Sequence, residues 1–235
     1  MIDETIFPFL AEKGHVVSLV GGGGKTTLLH AMAAHCTRKD WHVLAATTTH
    51  IQQPPEGLWA QNDAQLEALW AQGCYAVAGT AAPGGKLTMP PPEQLYAWMR
   101  RADAVFLEAD GAKRLPCKAP AAHEPVLLPE SDILLAVAGL SALGCPLQEV
   151  CFRLEQAQML LGVPPETILT PALLAKLLAS EQGGRKLAGD RRFCAVLNQA
   201  DTPERVRLGW ETQQILHEQF SVESVLTFFE LGERA

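Results

Sequence analysis

The sequence predicts an α/β fold, a mostly parallel sheet with helices on both faces. Three observations predict it. Short apolar runs alternate with segments of helical pattern along the chain. The runs are continuous rather than alternating polar and apolar, as in strands covered on both sides. Four consecutive glycines, Gly21 to Gly24, separate the first apolar run from the first helical segment.

The β-branched run HVVSLV, His15 to Val20, is expected as the first strand. Lys25 to Lys39 reads as a helix and His42 to Thr47 as a second strand. Between Gln52 and Pro91 the pattern is looser, with a helix expected near Asp63 to Ala71 and a strand near Tyr75 to Ala78. Pro91 to Ala102 reads as a helix and Ala104 to Ala109 as a buried strand. The stretch from Gly111 to Glu130 is rich in Pro, Lys and Ala and reads as a loop. Asp132 to Leu140 is another apolar strand. Thr170 before Pro171 marks a helix start, with Thr as the cap and Pro at the first position. Phe193 to Asn198 is a further strand, and Thr202 with Pro203 opens a long helix ending near Phe220. VESVLTFFEL, Val222 to Leu231, is expected to close the sheet.

Composition bounds the function. The 235 residues carry 48% hydrophobic and 19% charged side chains, ordinary for a globular protein, with a formal net charge of -7. An acidic balance argues against nucleic acid as a partner, because phosphate backbones reward clustered Lys and Arg. No apolar run approaches the roughly 20 residues that span a bilayer, so no membrane role is expected. The N-terminus opens on acids without an apolar core, which does not resemble a secretory signal and points to the cytoplasm. The six cysteines form no C-x-x-C pair and read as reduced thiols.

Gly21-Gly22-Gly23-Gly24-Lys25-Thr26-Thr27, set between strand and helix, has the context of a P-loop. Glycines let backbone N–H groups turn around phosphate oxygens, and the helix N-terminus adds positive partial charge. Lys25 is expected at the β- and γ-phosphates and the Thr26 hydroxyl at Mg²⁺. The full Walker A spacing needs glycine at position 19, where Leu19 stands. The remaining G-x-x-G-K-T-T is similar to the loop of the Mur ligases, which bind ATP. The whole chain, 1–235, is therefore expected as one P-loop NTPase-like nucleotide-binding domain for ATP or GTP, with room for a small insertion at about 52–100. Lys25→Ala is expected to leave the nucleotide-free fold intact, since Lys25 should point at ligand.

AVFLEADG, Ala104 to Gly111, has the form of a Walker B segment. Mg²⁺ is usually held by one or two carboxylates together with phosphate oxygens and water. Asp110 is the first choice for its shell; Glu108 shares it or orients the attacking water. Lys113, Arg114 and Lys118 follow, either as an anion clamp or transition-state cation, or as an ordinary solvated loop. His123 and Glu124, further along, are candidates to touch a second substrate. Thr47, Thr48 and Thr49, before His50, either reach phosphate and metal-bound water or serve as strand formers and caps. Asn198-Gln199-Ala200-Asp201 resembles the guanine-reading [NT]-K-x-D motif, with Asp201 on the base and Asn198 bracing the loop; a helix-capping loop is the alternative. Gln199 replaces the Lys of that motif.

Together VVSLVGGGGKTTLL, ATTTHI, VFLEADGAKRLPCKAPAAHEPVLLP, AGLSALGCPL and VLNQAD resemble the YqeC family of selenium cofactor biosynthesis or selenium-dependent hydroxylase accessory proteins. The resemblance covers roughly Ile6 to Asp201. It implies a nucleotide-driven step in maturing a molybdenum hydroxylase, with that hydroxylase or another cofactor-maturation protein as partner. Two departures from the family pattern stand out: Gln199 where Lys is common, and Leu154 where a proline is expected after Arg153. Three activities are compatible with these residues. One is an NTPase in which Lys25 stabilises charge on the phosphates, Thr26 and Asp110 hold Mg²⁺, and Glu108 or a Thr positions water, with Lys113 and Arg114 as further catalytic candidates. Another is a kinase or ligase that activates a small acidic substrate, and the third is a non-catalytic nucleotide switch.

Overall fold

The computed structural model describes residues 2–54 and 57–229. In chain order the strands and helices are β1 (Val16–Gly21), α1 (Lys25–Thr37), β2 (Val43–Thr47), β3 (His50–Gln52), β4 (Trp59–Ala60) and α2 (Asp63–Ala71). Next come β5 (Ala76–Ala78), β6 (Thr80–Ala82), β7 (Lys86–Thr88), α3 (Pro92–Met99), β8 (Ala104–Glu108) and β9 (Cys117–Lys118). After these lie β10 (Ile133–Gly139), α4 (Leu147–Val150), β11 (Cys151–Phe152), α5 (Leu154–Leu161) and α6 (Pro171–Ala179). Strand β12 (Arg192–Asn198), α7 (Pro203–Phe220) and β13 (Ser224–Leu226) complete the chain.

Eight strands form one sheet in the order β13-β12-β10-β1-β8-β2-β5-β4, with every pairing parallel. The fold is thus the expected α/β, P-loop NTPase-like class. Strand β1 lies inside the sheet, between β8 and β10. After β1 the chain builds one half of the sheet through β8, then crosses to the other side at β10. Such a reversal opens a crevice beyond the strand carboxyl ends, where open α/β sheets bind ligands.

The apolar runs divide their side chains between two faces, as the period of a strand requires. Val17, Leu19, Ala45, Phe106, Leu135 and Val137 face the buried stripe of α1, Leu28, Leu29, Met32, Ala33 and Cys36. Leu134, Ala136 and Ala138 face the other way, packing with Leu174 and Leu178 of α6 and Leu216 of α7. Leu44, Leu107 and Val105 pack on that opposite side against Leu66 of α2 and Leu95 and Trp98 of α3. The Thr170 hydroxyl accepts from Leu173 N at 3.3 Å and that of Thr202 from Arg205 N at 3.2 Å, so both expected caps form.

Several elements were not expected from sequence. Strands β3, β7 and β6 make a separate antiparallel sheet, and β9 pairs with β11 in a two-residue parallel ribbon. Strands this short show no periodicity and exist through tertiary pairing. Helix α5 escaped because its cap is Arg153 in the left-handed conformation, φ 65°, rather than a Ser, Thr, Asp or Asn. Strand β13 forms inside the expected closing segment, whose last two residues, Glu230 and Leu231, lie outside the described residues. Among the described residues no helix is long and apolar enough to cross a membrane.

Candidate functional site

The glycine turn joins β1 to α1 at the carboxyl edge of the sheet. Backbone crowding dictates glycine at three of its positions, Gly22 included, where a Cβ would stand 2.6 Å from Leu115 O. A Cβ on Gly21, φ 94°, would stand 2.2 Å from Val137 O, and one on Gly23, φ 77°, would stand 2.1 Å from Gly139 N. The turn's amides fall into two groups. Gly21 N donates to both oxygens of Asp110 at 3.1 Å, Gly22 N to Val137 O at 2.9 Å and Gly23 N to Leu115 O at 3.1 Å. The amides of Gly24, Lys25, Thr26 and Thr27 have no acceptor among the described residues. The anion-receptive part of the loop is therefore the mouth of α1, while the first three glycines anchor it to β10 and to the loop after β8.

Beside that mouth lies a buried network of charges. Lys25 is only 4% exposed; its Nζ lies 3.1 Å from Asp110 Oδ1 and 3.6 Å from Glu108 Oε1 and donates to Gly21 O at 2.6 Å. Strand β8 delivers Glu108, and Asp110 follows two residues on, so both carboxylates reach the same ammonium. Burial opposes the charge on Lys25, but the fields of Asp110 and Glu108 outweigh it and hold its pKa above the ordinary value. Burial pushes the Glu108 carboxyl up, against the pull of Lys25 and of the Thr26 hydroxyl. That hydroxyl donates to Glu108 Oε2 at 2.7 Å.

The network extends away from the loop. Lys118 Nζ lies 3.0 Å from Asp110 Oδ2 and 2.8 Å from Glu124 Oε2, and Arg153 Nε lies 3.0 Å from the same Glu124 oxygen. Burial works against ionised Glu124, yet the hydrogen bonds from Lys118, Arg153 and the Ala121 amide prevail and bring its pKa to about 2. A carboxylate depressed in the folded state contributes stability that is complete above its unfolded pKa and is lost as pH falls toward 2. Glu124→Gln is expected to cost about 3 kcal/mol near neutral pH, because it leaves Lys118 and Arg153 without their shared counter-charge. It should also flatten the loss of stability between about pH 4.5 and 2. Urea unfolding across that range measures both effects.

The other sequence candidates separate. Lys113 and Arg114 are exposed, in left-handed backbone conformations with φ 48° and 64°, and neither joins the buried network. Lys118 is the buried cation of that loop. His123 is exposed, whereas Glu124 is 5% exposed and central. Thr47 and Thr48 spend their hydroxyls on Glu108 O at 2.9 Å and Val126 O at 2.7 Å, bracing β8 and its loop. The Thr49 hydroxyl is buried with no partner among the described residues. Asn198 Nδ2 donates to Gly23 O at 2.8 Å, and its Oδ1 accepts from the Thr227 hydroxyl at 2.9 Å, so Asn198 braces the phosphate turn from β12. Asp201 pairs with Arg205 one helical turn along, and Gln199 lies over Gly139, accepting from the Ser141 hydroxyl at 2.5 Å. Sequence reasoning gave Arg153 no role: it stands 29 residues from Glu124, and the local pattern around it carries no sign of the contact.

Fold and loop together define an α/β protein of P-loop NTPase-like class. The chain matches the family described as "YqeC protein" over residues 17–155, and it belongs to that family. It is 32% identical, over 179 residues, to a protein of Escherichia coli (strain K12) described as "Uncharacterized protein YqeC". The match covers 73% of this chain and 70% of that one.

Proposed function

We propose that the chain is a Mg²⁺-dependent NTPase, taking ATP or GTP, that serves as an accessory factor in selenium and molybdenum cofactor maturation. The single observation that carries the nucleotide reading is the set of four amides, Gly24 to Thr27, without acceptors among the described residues, at the N-terminus of a 13-residue helix beside the Lys25 ammonium. A polyphosphate satisfies both the amides and the ammonium. The maturation role rests on family membership and on the resemblance described above.

Thr26 and Glu108 offer a hydroxyl and a carboxylate 2.7 Å apart, hard oxygen donors that fit Mg²⁺ completed by phosphate oxygens and water. Asp110 fits less well than the sequence suggested, because its oxygens already accept from Gly21 N, Lys25 and Lys118. We therefore assign Glu108 with Thr26 to the metal and Asp110 to holding the two lysines. When bound, Mg²⁺ neutralises charge on the β- and γ-phosphate oxygens. With nucleotide bound, Lys25 would serve the phosphates, and Glu108 with Thr26 would hold the metal. Lys118 then keeps Asp110 neutralised.

A second reading, a kinase or ligase with a small acidic co-substrate, is favoured by one specific cluster. Lys113 Nζ, Lys118 Nζ and Arg153 Cζ lie 5.2, 5.7 and 4.9 Å from the centroid of the Phe152 ring. Lys113 has no carboxylate partner among the described residues. Thermal-shift titration with ATP and with GTP, each with Mg²⁺, tests the common core of both readings: a saturable rise in melting temperature is expected. No rise with either nucleotide at millimolar concentration would overturn it. Phosphate release without a further substrate then selects the NTPase over the kinase or ligase.

A further inference from the structure

Cys117 and Cys151 stand directly opposite each other in the parallel ribbon of β9 and β11. Neighbouring strands lie about 4.8 Å apart, within the roughly 4.4–6.8 Å between Cα atoms that a disulfide spans. Residues paired across neighbouring strands send their side chains to the same face, so the two thiols lie side by side. Cys117 Sγ donates to Val150 O at 3.3 Å and Cys151 Sγ to Phe152 O at 3.7 Å, both weak bonds. No other pair among the six cysteines faces across neighbouring strands.

We propose that Cys117 and Cys151 are a reversible thiol–disulfide pair whose oxidant is a peroxide. Both side chains are nearly inaccessible, at 1% and 3% exposure, so a reagent close to water in size suits the site. The neighbouring Cys117 holds the Cys151 thiol below its ordinary value, whereas Cys151 and burial push Cys117 up. The Cys151 thiolate attacks the peroxide O–O bond, forming a sulfenic acid and releasing hydroxide, which takes up a proton as water. The Cys117 thiol then attacks that sulfur, the S–O bond breaks, and a second water leaves. Peroxide is reduced by two electrons and the dithiol oxidised by two. An external thiol reverses the reaction by exchange when the two-residue ribbon opens.

The position gives the modification a target. Leu115 O and Pro116 O, immediately before Cys117, accept from Gly23 N at 3.1 Å and Gly139 N at 2.7 Å. A bridge would tie the segment that holds the glycine turn to β11. The inference stands independently of nucleotide binding.

The test treats the full chain with hydrogen peroxide, alkylates remaining thiols and maps non-reduced peptides by mass spectrometry. One Cys117–Cys151 cross-link, lost on treatment with dithiothreitol, is expected in most molecules. Alkylation of all six cysteines, or a bridge joining a different pair, would overturn the proposal, and this arm needs no variant. With Cys117→Ser, dimedone added as the peroxide-treated protein is unfolded should label Cys151; with Cys151→Ser, Cys117 should label at least tenfold less. The opposite order would overturn the assignment of Cys151 as the attacking sulfur. Alanine variants serve if a serine impairs folding.

Discussion

Asp110→Asn is expected to lower the stability of the nucleotide-free protein by about 3–5 kcal/mol, the cost of leaving buried charge uncompensated. For a chain of this length that is a fall of roughly 6–20 °C in melting temperature. Asp110 is 2% exposed and accepts from one amide and two ammonium groups, Lys25 and Lys118. Asparagine keeps the shape but removes the charge, and its amide nitrogen cannot accept from an ammonium. The loss should shrink when pyrophosphate is added, because an anion at the mouth of α1 gives Lys25 a new partner. By contrast, Glu108→Gln should raise the Mg²⁺ concentration needed for nucleotide-dependent stabilisation more than Asp110→Asn does. Denaturant unfolding gives the first quantity and Mg²⁺ titration at fixed nucleotide the second. An Asp110→Asn protein that unfolds at the wild-type midpoint would remove the carboxylate from any structural role. A larger Mg²⁺ shift in Asp110→Asn than in Glu108→Gln would reverse the metal assignment.

Lys25→Ala should have two effects, and only one of them was foreseen from sequence. Nucleotide should no longer raise the melting temperature, since the ammonium beside the open amides is gone. The nucleotide-free protein should also lose stability, again by about 3–5 kcal/mol. Lys25 is not a side chain awaiting ligand in solvent; it is buried between Glu108 and Asp110. The expectation of an undisturbed fold is thereby corrected. Without Lys25, Glu108 keeps the Thr26 hydroxyl but loses the charge that opposed its desolvation, so its pKa should move further upward. An acid raised in the folded state is most stabilising when protonated, so the variant should lose stability as pH rises through that folded value. Adding Glu108→Gln to Lys25→Ala should recover part of the stability and none of the nucleotide response. Recovery of both would show that Lys25 acts on the fold alone; recovery of neither would show that Glu108 does not carry the unpaired charge.

The elements of the central sheet that are longest in sequence were legible from it, and for local reasons. β1, β10 and β12 are continuous apolar runs because both of their faces are covered, and α6 and α7 announce themselves through a Thr cap followed by proline. The glycine turn and the acids ending β8 were legible too, since their spacing is short and their chemistry particular. The two- and three-residue strands were not, because pairing with distant segments creates them.

The sequence by itself determined the order of β1, β2, β5, β8, β10, β12 and β13 and of the helices α1, α2, α3, α6 and α7 between them, and placed Gly21 to Thr27, Glu108 and Asp110 at the sheet's carboxyl edge. Only the tertiary structure decided which carboxylate holds which lysine, that Lys118 rather than Lys113 or Arg114 is the buried cation, and that Glu124 joins Lys118 to Arg153. The reason is distance along the chain. A helix or strand is specified by neighbours a few residues apart, whereas Gly21 meets Asp110 across 89 residues and Asn198 meets Gly23 across 175. Charge pairing at such separations is set by how the parallel sheet crosses over, and residue spacing does not record it.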